Sequence, residues 1–114
     1  MLFRSGAFPV WLSPVQVKIL PISQKHQEYA HKVAARLREE RMRVGVDDRN
    51  EKIGLKIREA QLSKVPYMLV VGDKEAADGA VALRSRKKGD EGTLSLEAFV
   101  AKASEAVRTR TSED

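Results

Sequence analysis

The stretch RVGVDDRNEKIGLKIREAQLSKVPYMLVVG, residues 43–72, passes from one predicted strand through a helix into a second strand. A short strand at 43–47 precedes a helix at 51–64 whose apolar residues recur at helical spacing. The run at 66–72 is apolar throughout rather than alternating, which is typical of a central strand covered on both faces. Because strands joined through a helix run parallel in one sheet, this stretch predicts an α/β fold.

The same pattern continues on both sides of this stretch. The other predicted elements are a strand at 15–20, a helix at 24–41 preceded by Ser23, an antiparallel strand at 80–86, a short strand at 93–94 and a last helix capped by Ser95. The sum is a three-layer α/β fold, in which a mixed five-stranded sheet is flanked by three helices. Residues 1–14 are expected to form a leader, 15–110 the domain and 111–114 a frayed tail.

The composition is that of one domain with an anionic partner. A chain of 114 residues has the size of a single domain, and its formal net charge of +5 favours binding to anions. With no cysteine, the sequence excludes disulfides, a thiolate nucleophile and a zinc–cysteine site. No apolar run reaches the roughly 18 residues of a membrane-spanning helix, and no secretion signal is present. We therefore expect a cytoplasmic location and no membrane partner.

Residues that could support catalysis are few and poorly arranged. His26 and His31 lie five apart, about 140° from each other around a helix, so they cannot share a metal ion and are expected on the surface. Asp47, Asp48 and Asp73 have no nucleophile nearby, and aspartates at strand ends are commonly turn formers. No phosphate-binding glycine motif follows the first strand. The sequence predicts no catalytic residue, no metal ligand and no cofactor.

A basic segment begins where the strand at 43–47 ends, which is where open α/β sheets bind ligands. Arg49 and Asn50 lie in the entry loop, and Lys52 and Lys56, four residues apart, are expected to share an exposed, basic helix face. Gly54 interrupts this helix at a cost of about 1 kcal/mol relative to Ala. Close approach of a neighbouring backbone or of a ligand would explain it.

Two further polar segments are expected to meet the first at one edge of the sheet. They are the pair Lys74-Glu75, placed in a loop, and the basic cluster 84–88. For a single charge run, solvation of a helix face is the more common explanation. Here the cations are mixed with an amide, Asn50, and a carboxylate, Glu75, which can read bases splayed out of a single-stranded loop while Arg and Lys hold phosphates. The residues alone thus indicate a small RNA-loop binder.

Three segments also carry a resemblance to a known family. GAFPVWLSPVQV at 6–17, DDRNEKIGLKIREAQLSKVPYMLVVGDKE at 47–75 and AVALRSRK at 80–87 resemble the C-terminal anticodon-binding domain of threonyl-tRNA synthetase, a class IIa aminoacyl-tRNA synthetase. The resemblance extends from Gly6 to about Arg110. Prolyl, histidyl and glycyl synthetases share the domain but are not expected to carry the full run at 49–59 followed by that at 65–75. The family fold implied is the five-stranded sheet with three helices.

The resemblance implies a site and partners. The domain would grip the anticodon loop of threonine tRNA and recognise its G and U bases at the second and third positions. The residues carried over are the base readers Asn50, Glu75 and Arg84, and the residues holding bases or phosphates, Lys52, Arg58, Lys74 and Arg86, to which the basic segment adds Arg49. The other implied partner is the catalytic domain of the parent ligase, a homodimer when full length. ATP, Mg²⁺ and Zn²⁺ belong to that parent, and none to this chain.

What is missing limits the expected activity. Threonyl-tRNA synthetases carry a catalytic domain upstream, and this chain starts where that domain would end. Alone it is expected to bind tRNA without aminoacylating it. An alternative is a synthetase-like accessory or protein-interaction domain that kept the fold and lost RNA specificity. Indifference to RNA together with a defined protein partner would distinguish that alternative.

Overall fold

The structure, a computed structural model, describes residues 15–86 and 88–108. In chain order its elements are β1 (Val17–Pro21), a 3₁₀ turn (Gln24–His26), α1 (Gln27–Glu39), β2 (Val44–Val46), α2 (Ile53–Leu62), β3 (Tyr67–Val71), α3 (Asp73–Asp78), β4 (Ala80–Ser85), β5 (Gly89–Ser95) and α4 (Leu96–Arg108). The strands form one mixed sheet in the order β2-β1-β3-β4-β5.

The first three strands of the sheet are parallel. β1 lies between β2 and β3, with Val17 opposite both Val44 and Tyr67. The carboxyl ends of β1, β2 and β3 therefore lie side by side along one edge of the sheet, where 'edge' means the side formed by the ends of the strands. β4 runs antiparallel to β3 and β5 antiparallel to β4, so the carboxyl end of β4 lies at the opposite edge.

Helices cover the two faces of the sheet unequally. The larger core joins the sheet to α1 and α4, and within it the rings of Tyr67 and Phe99 meet edge to face at 5.5 Å. The smaller core joins the other face to α2 and is built from Leu20, Ala60 and Met68. We call this second side the α2 face. Direct partners in neighbouring strands point to the same side, so Arg84, opposite Met68, lies on the α2 face.

Most predicted elements are confirmed, with bounds shifted by one to three residues. The periodicity of apolar residues explains this agreement, because each buried stripe meets the sheet. Among the described residues there are three helices of ten or more residues, as predicted, and α3 is additional. The segment 89–95, predicted as a turn and a two-residue strand, is a seven-residue edge strand, and Ser95 Oγ accepts a hydrogen bond from the Ala98 amide at the start of α4.

The ends of the chain lie outside the described residues. The predicted leader, 1–14, and the predicted tail, 111–114, belong to these ends, so the domain boundaries stay predictions. Across residues 15–86 and 88–108, no helix combines the length and the apolar character needed to cross a bilayer.

Candidate nucleic-acid interface

A bidentate ion pair fixes the loop between β2 and α2. Asp47 is 6% exposed, and its two carboxylate oxygens each accept a hydrogen bond of 2.8 Å from Arg49, one from Nε and one from Nη2. The hydrogen bonds from Arg49 hold the pKa of the Asp47 carboxyl below its ordinary value, against the opposing effect of burial. Arg49 also donates to Glu59 on α2. The guanidinium thereby joins the end of β2 to the middle of α2.

Lys56 lies inside the protein, so the prediction that it belongs to the exposed basic face is wrong. The residue is 2% exposed, and its Nζ donates a 3.0 Å hydrogen bond to the Pro21 carbonyl at the end of β1. Its positive charge also helps to lower the pKa of Asp47. The spacing contained this information, because Lys56 lies three residues after Ile53 and four before Ala60, within the inward stripe. We call Asp47, Arg49, Lys56 and Glu59 the inner network.

Three residues of the same segment project outward from the inner network. Asn50, Lys52 and Arg58, which we call the outer set, are all exposed. Within the described part of the chain, neither cation of the outer set has a carboxylate within ion-pairing distance. An exposed amide in the same segment as two uncompensated positive charges is suited to a polyanion that also carries hydrogen-bonding groups.

At the carboxyl end of β3 the structure has a short helix where a loop was predicted for Lys74-Glu75. Gly72 precedes α3 and donates its amide to Glu75 Oε1 at 2.8 Å, and Gly79 ends the helix with a φ of 64°. Glu75 is thus half-buried and fixed by its role as a helix cap. Lys74 beside it is exposed. Both residues lie at the same sheet edge as the inner network.

Arg84 and Arg86 do not lie at that edge, so the expected meeting of three segments at one edge is wrong. Arg84 pairs with Met68 near the start of β3, and the Arg86 amide donates to the Pro66 carbonyl just before that strand. The physical reason is the antiparallel direction of β4. Arg86 also donates from Nη1 to the Lys64 carbonyl beyond the end of α2, at 2.9 Å. Its burial lowers the pKa of Arg86. Lys87, which also belongs to the basic cluster 84–88, lies outside the described residues.

The site residues of the segment 47–59 and of the basic cluster 84–88 are therefore arranged along α2, while Lys74 and Glu75 lie at the sheet edge. Asn50 and Lys52 lie before the first turn of this ten-residue helix, Arg58 in its second half and Arg86 just past its end. A helix of that length spans about 15 Å. Arg84 lies on the sheet face beside it, with Nη1 3.9 Å from Asp90 Oδ2. The arrangement provides an extended basic surface that a single strand could follow.

His26 is buried, contrary to the surface position predicted for it. Its Nδ1 accepts a hydrogen bond from the Ser23 amide at 3.3 Å, which leaves Nε2 to donate to Asp73 Oδ1 at 2.7 Å. This bond, followed by the contact with Lys25, holds the pKa of Asp73 below its ordinary value. His26 lies in the 3₁₀ turn just before α1, four residues before Ala30, so it continues the buried stripe of that helix. Its hydrogen bond to Asp73 joins this turn to the start of α3, so His26 is part of the scaffold. His31 is exposed, as predicted.

In residues 15–86 and 88–108, no three His, Asp or Glu side chains are grouped so as to hold a metal ion.

The architecture and the exposed basic residues along α2 define a class: small α/β domains with a mixed five-stranded sheet and a basic segment suited to an anionic partner. A family model described as "Anticodon binding domain" matches residues 16–106. The chain belongs to this family, and over most of its length it is similar to the anticodon-binding domain of threonyl-tRNA synthetases.

Individual relatives support this placement. Threonine–tRNA ligase of Caldanaerobacter subterraneus subsp. tengcongensis is 61% identical over 106 residues, which are 93% of this chain and 16% of that protein. Threonine–tRNA ligase of Clostridioides difficile is 57% identical over 108 residues, 95% of this chain and 17% of the relative. The crystal structure of the RNA binding domain of threonyl-tRNA synthetase from Cryptosporidium parvum Iowa II superposes with a TM-score of 0.84 at 40% identity. That match covers 90% of this chain and 26% of the other.

The chain thus spans about a sixth of the length of the curated relatives it matches, at 16% and 17%. The resemblance seen in the sequence is confirmed at the level of family and fold.

Proposed function

We propose that this chain binds the anticodon loop of threonine tRNA and discriminates its second and third bases, G and U. In the proposal, Asn50, Glu75 and Arg84 read bases. The residues that hold the RNA are Arg49, Lys52, Arg58, Lys74 and Arg86. Neither a metal ion nor a cofactor takes part in this binding.

The observation that carries the proposal is that the inner network restrains the same segment that exposes the outer set to solvent. Asn50 can both donate and accept hydrogen bonds, which base edges require, and two exposed cations, Lys52 and Arg58, follow it in the same segment. The ion pair between Asp47 and Arg49 restrains the loop that presents Asn50. A base-contacting side chain on a restrained loop loses less conformational entropy on binding than one on a mobile loop. Membership of the anticodon-binding domain family directs the proposal to a tRNA loop.

Arg49 has a more limited part in this proposal than its position in the sequence suggested. Its guanidinium already donates to two carboxylates, so it contributes less net charge to an approaching phosphate than Lys52 or Arg58. Glu75 likewise uses Oε1 for the cap of α3. Base reading by Glu75 would rest on Oε2.

We further propose that the chain alone does not form threonyl-tRNA, which requires the remaining five-sixths of the relatives' length. The catalytic part of a homodimeric parent ligase would be its protein partner, in the cytoplasm. An assay of the chain with threonine, ATP and threonine tRNA should yield no charged product. Charging above the level of a no-protein control would contradict this part of the proposal.

The direct test is a fluorescence titration of an RNA stem-loop that carries the threonine anticodon. A matched stem-loop with the second and third anticodon bases changed serves as the control. We expect the changed loop to bind at least about tenfold more weakly, since each correctly read base is worth about 1–3 kcal/mol. Equal binding of both loops would contradict base reading. Absence of binding to either would favour the protein-interaction alternative.

A further inference from the structure

Gly54 has no explanation within the described protein. It is exposed on α2, and a Cβ built on it would meet nothing within 4 Å among the described residues. Its φ is not in the left-handed region that favours glycine. Gly72 shows the contrast, because a Cβ there would lie 2.6 Å from the Ile22 side chain. Close packing accounts for Gly72, whereas the expected close approach of a neighbouring backbone is not found at Gly54.

The neighbours of Gly54 are the residues of the outer set. Arg58 lies four residues further along α2 and so occupies the same face of the helix, and Lys52 immediately precedes α2. Gly54 is therefore a gap in the side-chain surface beside Arg58, with Lys52 two residues before it at the entry to the helix. A missing side chain lets another chain approach the helix backbone closely.

We propose that Gly54 is the point at which the sugar–phosphate backbone of a bound single-stranded RNA loop comes closest to α2. The gap lets the RNA backbone settle between Lys52 and Arg58, so that both cations reach phosphates together. Gly54 is thus a positioning residue of the interface. The inference rests on the proposed function, but base reading by Asn50 does not require closeness at Gly54.

The choice of backbone rather than base follows from the flanking charges. Lys52 and Arg58 carry positive charge without carboxylate partners among the described residues, and phosphates are the anionic groups of RNA. A side chain at position 54 would hold the phosphates away from one or both cations. The affinity for every RNA loop would then fall, together with its dependence on salt.

The test separates stability from binding in two variants, Gly54→Ala and Gly54→Gln. Because nothing obstructs a Cβ and Ala favours helix, Gly54→Ala should raise the midpoint of thermal unfolding by about 2–6 °C. The same variant should bind the threonine stem-loop about threefold more weakly, and Gly54→Gln about tenfold more weakly. The slope of log Kd against log salt should fall by about 0.7 for each phosphate that is no longer neutralised. The ratio between cognate and base-changed loops should stay as in the wild type.

A matched control introduces the same side chain elsewhere. Ala35 is exposed on α1, across the sheet from α2, so Ala35→Gln should leave both Kd and salt slope unchanged. Wild-type affinity and salt slope in Gly54→Gln would overturn the inference, and so would a lowered unfolding midpoint in Gly54→Ala. Failure of the proposed function is visible separately, because the wild-type chain would then fail to discriminate the two loops.

Discussion

The inner network and the outer set come from the same thirteen-residue segment, 47–59, yet they use their charges in opposite ways. Arg49 and Lys56 point to partners within the protein, a carboxylate pair and the Pro21 carbonyl. Lys52 and Arg58 point to solvent. A buried cation needs a partner to offset its desolvation, whereas an exposed cation keeps its charge for an incoming anion.

This difference shows that the number of cations in a basic segment overstates its binding charge. Four cations, Arg49, Lys52, Lys56 and Arg58, are present in the segment, and the protein itself engages two of them. Their engagement orders the loop on which Asn50 stands. Each prediction below changes one side of this division and asks whether the other side responds.

The largest effect is expected from Lys56→Ala. The variant removes a buried side chain and leaves the Pro21 carbonyl without its donor, so the free energy of unfolding should fall by about 2–4 kcal/mol. Urea unfolding monitored by circular dichroism measures this change. Lys52→Ala is the matched control, four residues away at the start of the same helix, and should stay within about 0.5 kcal/mol of the wild type. Similar losses in both variants would contradict the division between inner and outer residues.

A smaller, pH-dependent effect is expected from Asp47→Asn. Since Arg49 lowers the pKa of Asp47 in the folded state below the ordinary 3.8, the stabilisation is fully present above about pH 4 and is lost as the pH falls through the folded value. The variant should lose about 1–2 kcal/mol at pH 7 and approach the wild type in acid. Unfolding in urea at several pH values between about 7 and 2.5 measures this.

The control for this pH series is Asp78→Asn, at the exposed end of α3. Its difference from the wild type should stay within about 0.5 kcal/mol throughout. A loss in Asp47→Asn that persists unchanged in acid would show that the ion pair with Arg49 is not its source.

The smallest effect on stability is expected from Glu59→Gln, at the boundary between the two groups. The variant leaves Arg49 with Asp47 alone, so the interface gains positive charge and should bind cognate and base-changed loops alike about two- to fivefold more tightly at low salt. Glu39→Gln gives the same change in net charge on α1 and should have no such effect. Tighter binding in both variants would mean that net charge alone determines affinity.

How much of this could be predicted from the sequence depends on which signal is followed. Apolar periodicity locates strands β1 to β4 and the three longer helices, because burial of a stripe is what stabilises each element. The same periodicity places His26 and Lys56 in buried stripes. The prediction that both residues lie at the surface is wrong because it follows their polarity rather than their position in the apolar pattern. Polar residues in an apolar stripe are therefore best expected inside with a partner.

Other features depend on contacts that no local pattern specifies. The donation from Lys56 to the Pro21 carbonyl joins two residues that are distant in the sequence, and their closeness follows only from the assembled sheet. α3 is too short for a periodic signal, although Gly72, Glu75 and Gly79 are its capping residues. The position of Arg84 and Arg86 could have been deduced, because an antiparallel β4 must end at the opposite edge.

The central claim is that Asn50 reads bases while Lys52 holds phosphates, and paired titrations of Asn50→Ala and Lys52→Ala test it most directly. Each variant is titrated with the cognate and the base-changed stem-loop at several salt concentrations. Asn50→Ala should lose about 1–3 kcal/mol of discrimination with a nearly unchanged salt slope. Lys52→Ala should weaken both loops alike and lower the slope by about 0.7. Equal weakening of both loops by Asn50→Ala, or altered base preference with an unchanged slope in Lys52→Ala, would contradict the account.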